Sequence, residues 1–253
     1  MKYRWAPSLG DFEESPEKVW GVEPYDPNGT EPCVFCGIYG IKDLMALWNY
    51  KGKRYVWYAG SDIRHFLNGY WIDDRGGIRM TSRPWAKWIN KNCEVYVENL
   101  IEKQALSKIG IGAIVIPSFL GDVKKFPPQK IRTDRKRYYT SVSGDDFELY
   151  GWQKIFDMAD ENPDIEYHLY GNIKEPFYTP TGNIFIHGRV PKEQMNEEVK
   201  TMTGAIRMVE FEGFSEILAK SILWGQKPIS LIPYDYTRES LLKVLNAYPW
   251  NTK

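Results

Sequence analysis

The sequence is poor in the residues that build disulfide frameworks and metal centres. Its 253 residues include three cysteines (Cys33, Cys36 and Cys93) and three histidines. A small and uneven number of cysteines argues against a disulfide scaffold and indicates a reducing compartment. Cys33 and Cys36 are separated by two residues in an apolar run, but on a strand they point to opposite faces, and no second such pair exists. We expect buried structural cysteines and no metal site.

Long apolar segments and an excess of one charge are also missing. No run approaches the roughly 20 residues of a membrane span, and the N-terminal segment is no signal peptide. The 33 basic residues equal the 33 acidic ones, so no overall field draws the chain to nucleic acid or a membrane. We expect a soluble protein of the cytoplasm, or of the host cytoplasm if the source is viral. The Gly-x-Gly-x-x-Gly signature of dinucleotide oxidoreductases follows no predicted strand.

What the sequence does have is an alternation of short apolar runs with helical periodicity, which is typical of parallel α/β sheets. The first half predicts strands at 33–39, 54–59, 94–97 and 113–116, with helices at 42–50 and 100–108. The second half predicts strands at 138–142, 166–170, 184–187, 205–209 and 228–232, with helices at 147–161, 192–202, 215–224 and 238–247.

The composition changes between the two halves. Residues 124–137 hold seven basic residues, one acidic residue and two prolines without periodicity, which indicates a loop between domains. We therefore predict a first domain at 1–120, a linker at 121–137 and a second domain at 138–235. The last helix, within 236–253, is expected to pack back on the first domain.

Ligands of open α/β sheets collect at the carboxyl ends of the strands. Three loops of the second half follow predicted strands there: the segment that begins at Gly171, the segment His187-Gly188-Arg189-Val190, and the segment Glu212-Gly213-Phe214-Ser215. The third leads into a helix, where Gly213 allows a close approach of the backbone and Ser215 suits the N-cap. Free N–H groups at such a helix start form an anion site suited to a diphosphate. The alternative is an ordinary capped turn.

The order and spacing of these motifs resemble the donor half of GT-B glycosyltransferases. The resemblance is closest to the large retaining family that uses nucleotide-diphosphate sugars, which has GxV after one strand, EGF at a helix start and GxPV before the next strand. The matching segments are Gly188-Arg189-Val190, Glu212-Gly213-Phe214 and Gly225-Gln-Lys-Pro-Ile229. In addition, Tyr58-Ala-Gly-Ser-Asp-Ile63 resembles the end of an acceptor-domain strand.

The resemblance implies an α/β fold of two Rossmann-like domains with a cleft between them, the first for the acceptor and the second for the donor. It implies metal-independent transfer of a sugar from a nucleotide-diphosphate sugar, a UDP-sugar foremost, to a hydroxyl acceptor, without a cofactor. The acceptor would be a glycan, a small molecule or modified DNA. The backbone at Gly188, Arg189 and Val190 would hold the base, with Gly171 and His187 beside it. Glu212 would meet the donor sugar, and Gly213, Phe214 and Ser215 the sugar and diphosphate.

Two positions depart from the pattern of that family. The second glutamate, eight residues after the first, is replaced by Lys220, whose ammonium cannot accept ribose hydroxyl protons. Lys220 would either reach a phosphate or pair with Glu216 one turn earlier, and we favour the pair. The Arg and Lys expected after the first strand of the donor domain are replaced by the acidic stretch 141–148. Arg189, Arg207, Lys220 or the basic run 124–137 would have to supply the positive charge.

Catalytic candidates are fewer. Asp62 follows the end of a predicted strand in the first domain, and His65 lies three residues further along the chain. Either side chain could act as the general base in an inverting transfer. The alternative for Asp62 is an N-cap of a short helix at 63–67. His168 is expected to be structural, and Asp73-Asp74 a solvated turn. Besides the sugar transferase, two hypotheses stay open: a phage-type enzyme that glycosylates hydroxymethylated bases in DNA, and a GT-B-like binding protein without catalysis.

Overall fold

The computed structural model describes residues 1–9, 13–68, 82–142, 147–171 and 182–253. The chain divides into two compact units. The first comprises Met1–Asp122, Phe211–Phe214 and Leu242–Lys253, and the second comprises Val123–Glu210 and Ser215–Leu241. None of the helices in these ranges is long and apolar enough to cross a membrane.

The first unit is built on a six-stranded sheet whose described strand pairs are all parallel. Its strand order is β2-β1-β3-β4-β5-β6. The strands are β1 Lys2–Trp5, β2 Glu23–Pro24, β3 Cys33–Cys36, β4 Arg54–Trp57, β5 Glu94–Val97 and β6 Ile114–Val115. The helices are α1 Pro16–Trp20, α2 Ile41–Asn49, α3 Ser61–Asn68, α4 Ser82–Asn92 and α5 Leu100–Ser107.

The C-terminal residues of the chain complete an aromatic cluster in this first unit. Trp250 is fully buried, with its ring centroid 5.7 Å from that of Trp20 and 5.6 Å from that of Trp57. Tyr248 stacks on Trp250 and donates its hydroxyl to the carbonyl oxygen of Pro117 at 2.7 Å. Much of the high aromatic content of the sequence is therefore used for packing.

The second unit is a five-stranded parallel sheet in the order β11-β10-β7-β8-β9. The strands are β7 Arg137–Ser141, β8 Glu166–Tyr170, β9 Ile184–Gly188, β10 Gly204–Arg207 and β11 Ile229–Ser230. The helices are α6 Trp152–Glu161, α7 Lys192–Val199 and α8 Glu216–Leu223, and the last helix, α9 Arg238–Leu245, begins in this unit and ends in the first. The strand order reverses between β7 and β10, and in Rossmann-like sheets such a switch point is where ligands bind.

The basic run 124–137 lies within the second compact unit, which begins at Val123. The N–H groups of Gln129 and Arg132 donate to the carbonyl oxygens of Trp224 and Thr201, at 2.8 and 2.9 Å. Arg137 opens β7, and its guanidinium binds Asp134 and Glu166. Arg135 and Arg137 are thus paired with carboxylates of the same unit.

Candidate functional site

A pocket of about 370 Å³ opens in the second unit at the carboxyl ends of its strands. The ends of β7 and β8 contribute Ser141, Val142, Tyr170 and Gly171. The loop after β9 contributes Arg189 and Val190. Helices α7 and α8 close the pocket with residues that include Lys192, Asn196, Glu216 and Lys220. It therefore lies beside the switch point between β7 and β10, and its volume is within the ~300–1,000 Å³ of small-molecule sites.

Positive charge dominates the described lining of this pocket. Arg189, Lys192 and Lys220 are its three cations, against one carboxylate, that of Glu216. Arg189 is exposed, whereas the Lys220 side chain is only 4% exposed. A concave surface with this balance attracts anionic ligands.

Lys220 forms the ion pair that the helical spacing predicts. Its Nζ lies 2.9 Å from Oε1 of Glu216, one turn earlier on α8, and donates to Oδ1 of Asn196 at 3.1 Å. Lys192 lies 3.7 Å from the same Glu216 oxygen. The Glu216 carboxylate, with 26% of its side chain exposed, is thus held between two ammonium groups.

Two glycines shape the mouth of the pocket. Gly171, which directly follows β8, has φ +147°, and a Cβ there would overlap the side chain of Val142. Gly188, which ends β9, has φ +71°, and its carbonyl oxygen accepts the N–H of Gly171 at 2.9 Å. Because both backbones occupy conformations that favour glycine, the two strand ends can turn away from the pocket together.

Ser215 occupies the N-cap position of α8, but its side chain makes no capping hydrogen bond. Its carbonyl oxygen accepts the N–H groups of Leu218 and Ala219, at 3.0 and 3.1 Å. Ser215 thus stands at the N-cap position that the sequence predicts, although its hydroxyl does not cap the helix. Backbone hydrogen bonds to the Ser215 carbonyl oxygen therefore define the start of this helix, and the Ser215 side chain does not contribute.

His187 lies on an aromatic stack beside these strand ends, outside the pocket lining. Its ring stacks on Tyr170 at 4.3 Å between centroids, and its Nε2 lies 2.9 Å from Nδ1 of His168. Burial lowers the pKa of both histidines below 6.5, and for His168 the neighbouring His187 lowers it further. The Tyr170 hydroxyl donates to Glu198 at 2.8 Å. The ring of His168, a residue of β8, stacks on that of Phe185 at 4.9 Å between centroids.

The loop Phe211–Phe214 belongs to the first unit, although its neighbours on both sides belong to the second. The carbonyl oxygen of Glu212 accepts Nδ2 of Asn99 at 2.7 Å, and the N–H of Phe214 donates to Oε2 of Glu98 at 2.6 Å. Phe214 is buried, whereas Glu212 and Gly213 are half-buried. The four residues predicted as one donor loop are thus divided, since Ser215 lies in the second unit.

Asp62 is fully buried, and its carboxylate is used by the backbone. Oδ2 accepts the N–H of Ile38 at 2.9 Å, and Oδ1 accepts that of Ala59 at 3.0 Å. Desolvation raises its pKa to about 7, partly offset by these hydrogen bonds. Asp62 lies inside α3, which begins at Ser61, and not at the N-cap predicted as its alternative role. Each of its oxygens binds a backbone N–H and its side chain has no exposure to solvent, and the role of general base stays a prediction. His65 is exposed on α3, near the ring of Tyr39.

The cysteines are free thiols, with Cys33 and Cys36 buried in β3 as the sequence predicts. Among the described residues, no group of three or more His, Cys, Asp or Glu side chains is placed to hold a metal ion. Asp73 and Asp74 lie outside the described residues, as do Asn172 and the acidic loop residues 143–146.

Sequence reasoning missed several residues that the structure brings to these sites. Lys192 and Asn196 lie on the pocket face of α7, four residues apart, a spacing that places them on the same side of the helix. The four-residue spacing could be seen in the sequence, but nothing in the sequence indicated that α7 and α8 line the same pocket. Glu98 and Asn99 come directly after the predicted strand 94–97, yet their contacts with the loop 211–214 span more than 100 positions.

Solved structures share this fold at low sequence identity. TarM matches with a TM-score of 0.54 at 10% identity, over 85% of this chain and 46% of TarM. HepE of Anabaena, solved with UDP-glucose, matches with a TM-score of 0.51 at 10% identity, over 85% of this chain and 67% of HepE. A TarM variant from S. aureus, solved with UDP, alpha-GlcNAc-glycerol and Fondaparinux, matches with a TM-score of 0.50 at 12% identity.

The match to that variant covers 85% of this chain and 48% of the variant, so this chain spans about half the length of TarM. No protein-family model matches the sequence, and no curated protein matches it significantly. Together with the two parallel sheets, the structural likeness confirms the predicted α/β fold, that of GT-B glycosyltransferases.

Proposed function

We propose that this protein transfers a sugar from a UDP-sugar to a hydroxyl acceptor, and that the pocket of the second unit binds the nucleotide. The observation that carries the proposal is the pocket at the switch point, with three cations and one carboxylate in its described lining. Phosphate oxygens bind cations, and ribose hydroxyls donate to carboxylates, so this set of groups suits a nucleoside diphosphate. UDP is the candidate of first choice because HepE was solved with UDP-glucose.

Glu216 is proposed to bind the ribose. The resembling family uses a carboxylate eight residues after its first glutamate, where this chain has Lys220. Glu216 supplies a carboxylate from the same helix, one turn earlier, and it lines the pocket. With Lys220 and Lys192 closest to its Oε1, the carboxylate is proposed to accept a ribose hydroxyl hydrogen bond through its second oxygen. Lys220 then orients this carboxylate, and the exposed Arg189 is the cation proposed to meet the diphosphate.

The chemistry is proposed to be metal-independent, with retention at the sugar carbon. A retaining transfer needs no protein general base, and Asp62, the carboxylate considered for that role, is buried and bonded to backbone N–H groups. Glu212 is proposed to contact the donor sugar, as the resemblance implies. The cations of the pocket would stabilise charge on the leaving diphosphate, which is where positioned groups lower a barrier most.

Isothermal titration calorimetry with UDP, ADP, GDP, UDP-glucose and UDP-N-acetylglucosamine tests the proposal. We expect UDP and at least one UDP-sugar to bind. Arg189→Glu should weaken UDP about tenfold or more, because a hydrogen bond to a charged group contributes ~1.5–3 kcal/mol. Lys227→Glu is the matched control, an exposed cation of the same unit outside the pocket lining, and should change the affinity less than twofold.

Absence of binding by every nucleotide would overturn the proposal and favour a protein that kept the fold without donor chemistry. If UDP-sugars bind, transfer of a radiolabelled sugar identifies the acceptor class. Incorporation into DNA that carries hydroxymethylated bases, but not into glycans or small alcohols, would favour the DNA-modifying alternative.

A further inference from the structure

Helix α2 exposes apolar side chains on the side that faces solvent. Ile41, Met45 and Trp48 are spaced four and three residues apart, so they lie along one side of the helix. Their exposed fractions are 47%, 38% and 44%. The side toward the sheet has Leu44 and Leu47, which are fully buried in the core of the first unit. A surface helix normally carries polar residues opposite its buried side, whereas α2 is apolar on both.

Helix α4 lies beside these exposed side chains. The ring centroid of Trp48 is 4.7 Å from that of Trp88 and 5.1 Å from that of Trp85, and both partners belong to α4. Trp85 is buried, whereas Trp88 is half-buried. The apolar surface therefore continues from one helix to the next. We call Ile41, Met45, Trp48 and Trp88 the α2–α4 patch.

The charged groups that accompany this patch are basic. Arg83, Lys87 and Lys91 are exposed and recur every fourth residue, which places them along one side of α4. Lys42 is exposed on α2. Within these two helices as the structure describes them, the single carboxylate is that of Asp43, which is buried and held in an ion pair inside the first unit. The surface of α2 and α4 is thus apolar and positively charged at once.

This combination decides between the partners that an apolar surface could have. A second copy of the chain, docked symmetrically through the same surface, would bring these cations close to one another. A nucleic acid would match the charge, but Ile41 and Met45 have no ring on which a base could stack. A lipid bilayer with anionic headgroups suits every group: aliphatic side chains enter the acyl boundary, Trp lies at the level of the headgroups, and Lys and Arg meet their charge.

From these observations we propose that the α2–α4 patch and its four accompanying cations dock the first unit on an anionic bilayer surface. The binding is peripheral, because helices of 9 and 11 residues are too short to span a bilayer. The balanced total charge of the chain does not oppose it, since attraction to a charged surface acts within about a Debye length and is set by nearby groups. The inference goes beyond the proposed sugar transfer and does not depend on it.

Co-sedimentation of the whole chain with vesicles tests the proposal. The probes are vesicles of phosphatidylcholine alone and vesicles of equal parts of phosphatidylcholine and phosphatidylglycerol. We expect binding to the anionic vesicles, and binding to the neutral ones that is about tenfold weaker or less, because each nearby cation strengthens binding to the anionic surface. Salt at about 1 M should release the protein, since screening then acts over ~3 Å.

A first variant removes apolar surface and keeps every charge. Ile41→Ser/Met45→Ser leaves the contacts of Trp48 in place and should weaken binding to anionic vesicles about tenfold or more, because less apolar surface enters the bilayer. Leu149→Ser/Leu231→Ser is the matched control. These two leucines of the second unit are 41% and 44% exposed, and their replacement should change the affinity less than twofold.

A second variant removes charge and keeps the patch. Lys87→Gln/Lys91→Gln should weaken binding to anionic vesicles by about fivefold for each charge and leave binding to neutral vesicles unchanged. Lys227→Gln/Lys243→Gln removes the same net charge from exposed positions outside both helices, and should change the affinity less than twofold. Thermal unfolding shows that each variant is folded.

The outcomes that would overturn the proposal are distinct from those of the nucleotide titrations. Wild-type protein that does not bind anionic vesicles overturns it, as does binding that folded Ile41→Ser/Met45→Ser leaves unchanged or that the control pairs weaken equally. Self-association of the wild type that this variant abolishes, without vesicle binding, would assign the patch to a second copy. Tighter binding to an oligonucleotide than to vesicles, lost in Lys87→Gln/Lys91→Gln, would assign it to a nucleic acid.

Discussion

Lys220 and Glu216 form an ion pair, 2.9 Å between Nζ and Oε1, in which the lysine is buried and the glutamate faces the pocket. The two side chains are one helical turn apart on α8. Their burial differs, at 4% exposure for the Lys220 side chain and 26% for that of Glu216. The pair therefore does two things at once: it neutralises a buried ammonium and presents a carboxylate to a ligand.

That difference in burial predicts an unequal cost of breaking the pair. Glu216→Gln removes the carboxylate that pairs with the buried Lys220 ammonium, and should lower the free energy of unfolding by ~3 kcal/mol. Lys220→Met leaves a carboxylate that keeps water and Lys192 as partners, and should cost less, ~1–2 kcal/mol. The double variant should recover part of the loss. Urea unfolding of the three variants measures this.

Glu197→Gln serves as the control for that series, since Glu197 pairs with Lys200 on the exposed side of the same unit. Exposed pairs contribute ~0–1 kcal/mol, so little change is expected. If Lys220→Met lowers the free energy of unfolding more than Glu216→Gln does, the buried ammonium is not the group whose loss of a partner destabilises the protein most.

The close contact between Gly213 and Glu98 predicts a large effect of a single methyl group. Gly213→Ala should destabilise the chain by ~1–3 kcal/mol, as overpacked sites do, because Glu98 or the loop must move. Gly112→Ala is the matched control: it lies in the same unit, and its Cβ would meet only Asn90 at an ordinary 3.6 Å. Equal melting temperatures for the two variants would contradict the contact.

The buried carboxyls of the first unit predict how stability depends on pH. The pKa of Asp62 is raised to about 7 and that of Glu98 to about 8, in both cases mainly by desolvation. Between the unfolded pKa values near 4 and these folded values, the native state binds more protons than the unfolded state. The stability that these groups contribute is therefore complete below pH 4 and is lost as the pH rises toward 8.

Glu98→Gln removes one of these titrating carboxyls, and with it the contribution of that group to the pH dependence of stability. The slope of unfolding free energy against pH between 5 and 7.5 should become less negative by up to ~1.4 kcal/mol per pH unit. Denaturant unfolding at several pH values provides the measurement. An unchanged slope would show that Glu98 is ionised in the folded state across this range.

The contact between His168 and His187 predicts a linked titration. Burial lowers the pKa of both, and His187 further lowers that of His168. In the NMR spectrum both imidazoles should titrate below pH 6.5. In His187→Phe, which keeps a ring against Tyr170, the pKa of His168 should rise because the like charge is gone. A fall, or a wild-type midpoint above 6.5 for His168, would contradict the contact.

Much of the fold could be predicted because buried parallel strands have nearly continuous apolar runs. Residues 94–97 and 166–170 have the predicted bounds, whereas the strand predicted at 33–39 stops at Cys36, where Gly37 turns the backbone to φ +77°. The strand Lys2–Trp5 and the helix Ser82–Asn92 were missed. The first alternates charged and aromatic residues, and the second carries a proline and several polar residues in an uneven pattern.

The candidate site was predictable where its residues follow one another along the chain. Gly171, Arg189, Val190 and Lys220 line the pocket, each next to or within a predicted element. The pairing of Glu98 and Asn99 with the loop 211–214 was not predictable, because a buried carboxyl looks the same in sequence as a solvated one. Only the packing of distant segments shows which N–H it meets.

A crystal structure of the chain with UDP would show directly whether this pocket binds the nucleotide. We expect the diphosphate beside Arg189 and Lys192, and the ribose hydroxyls on the Glu216 carboxylate, in the pocket at the ends of β7, β8 and β9. UDP bound elsewhere on the chain, or an empty pocket at UDP concentrations that saturate binding in solution, would contradict it.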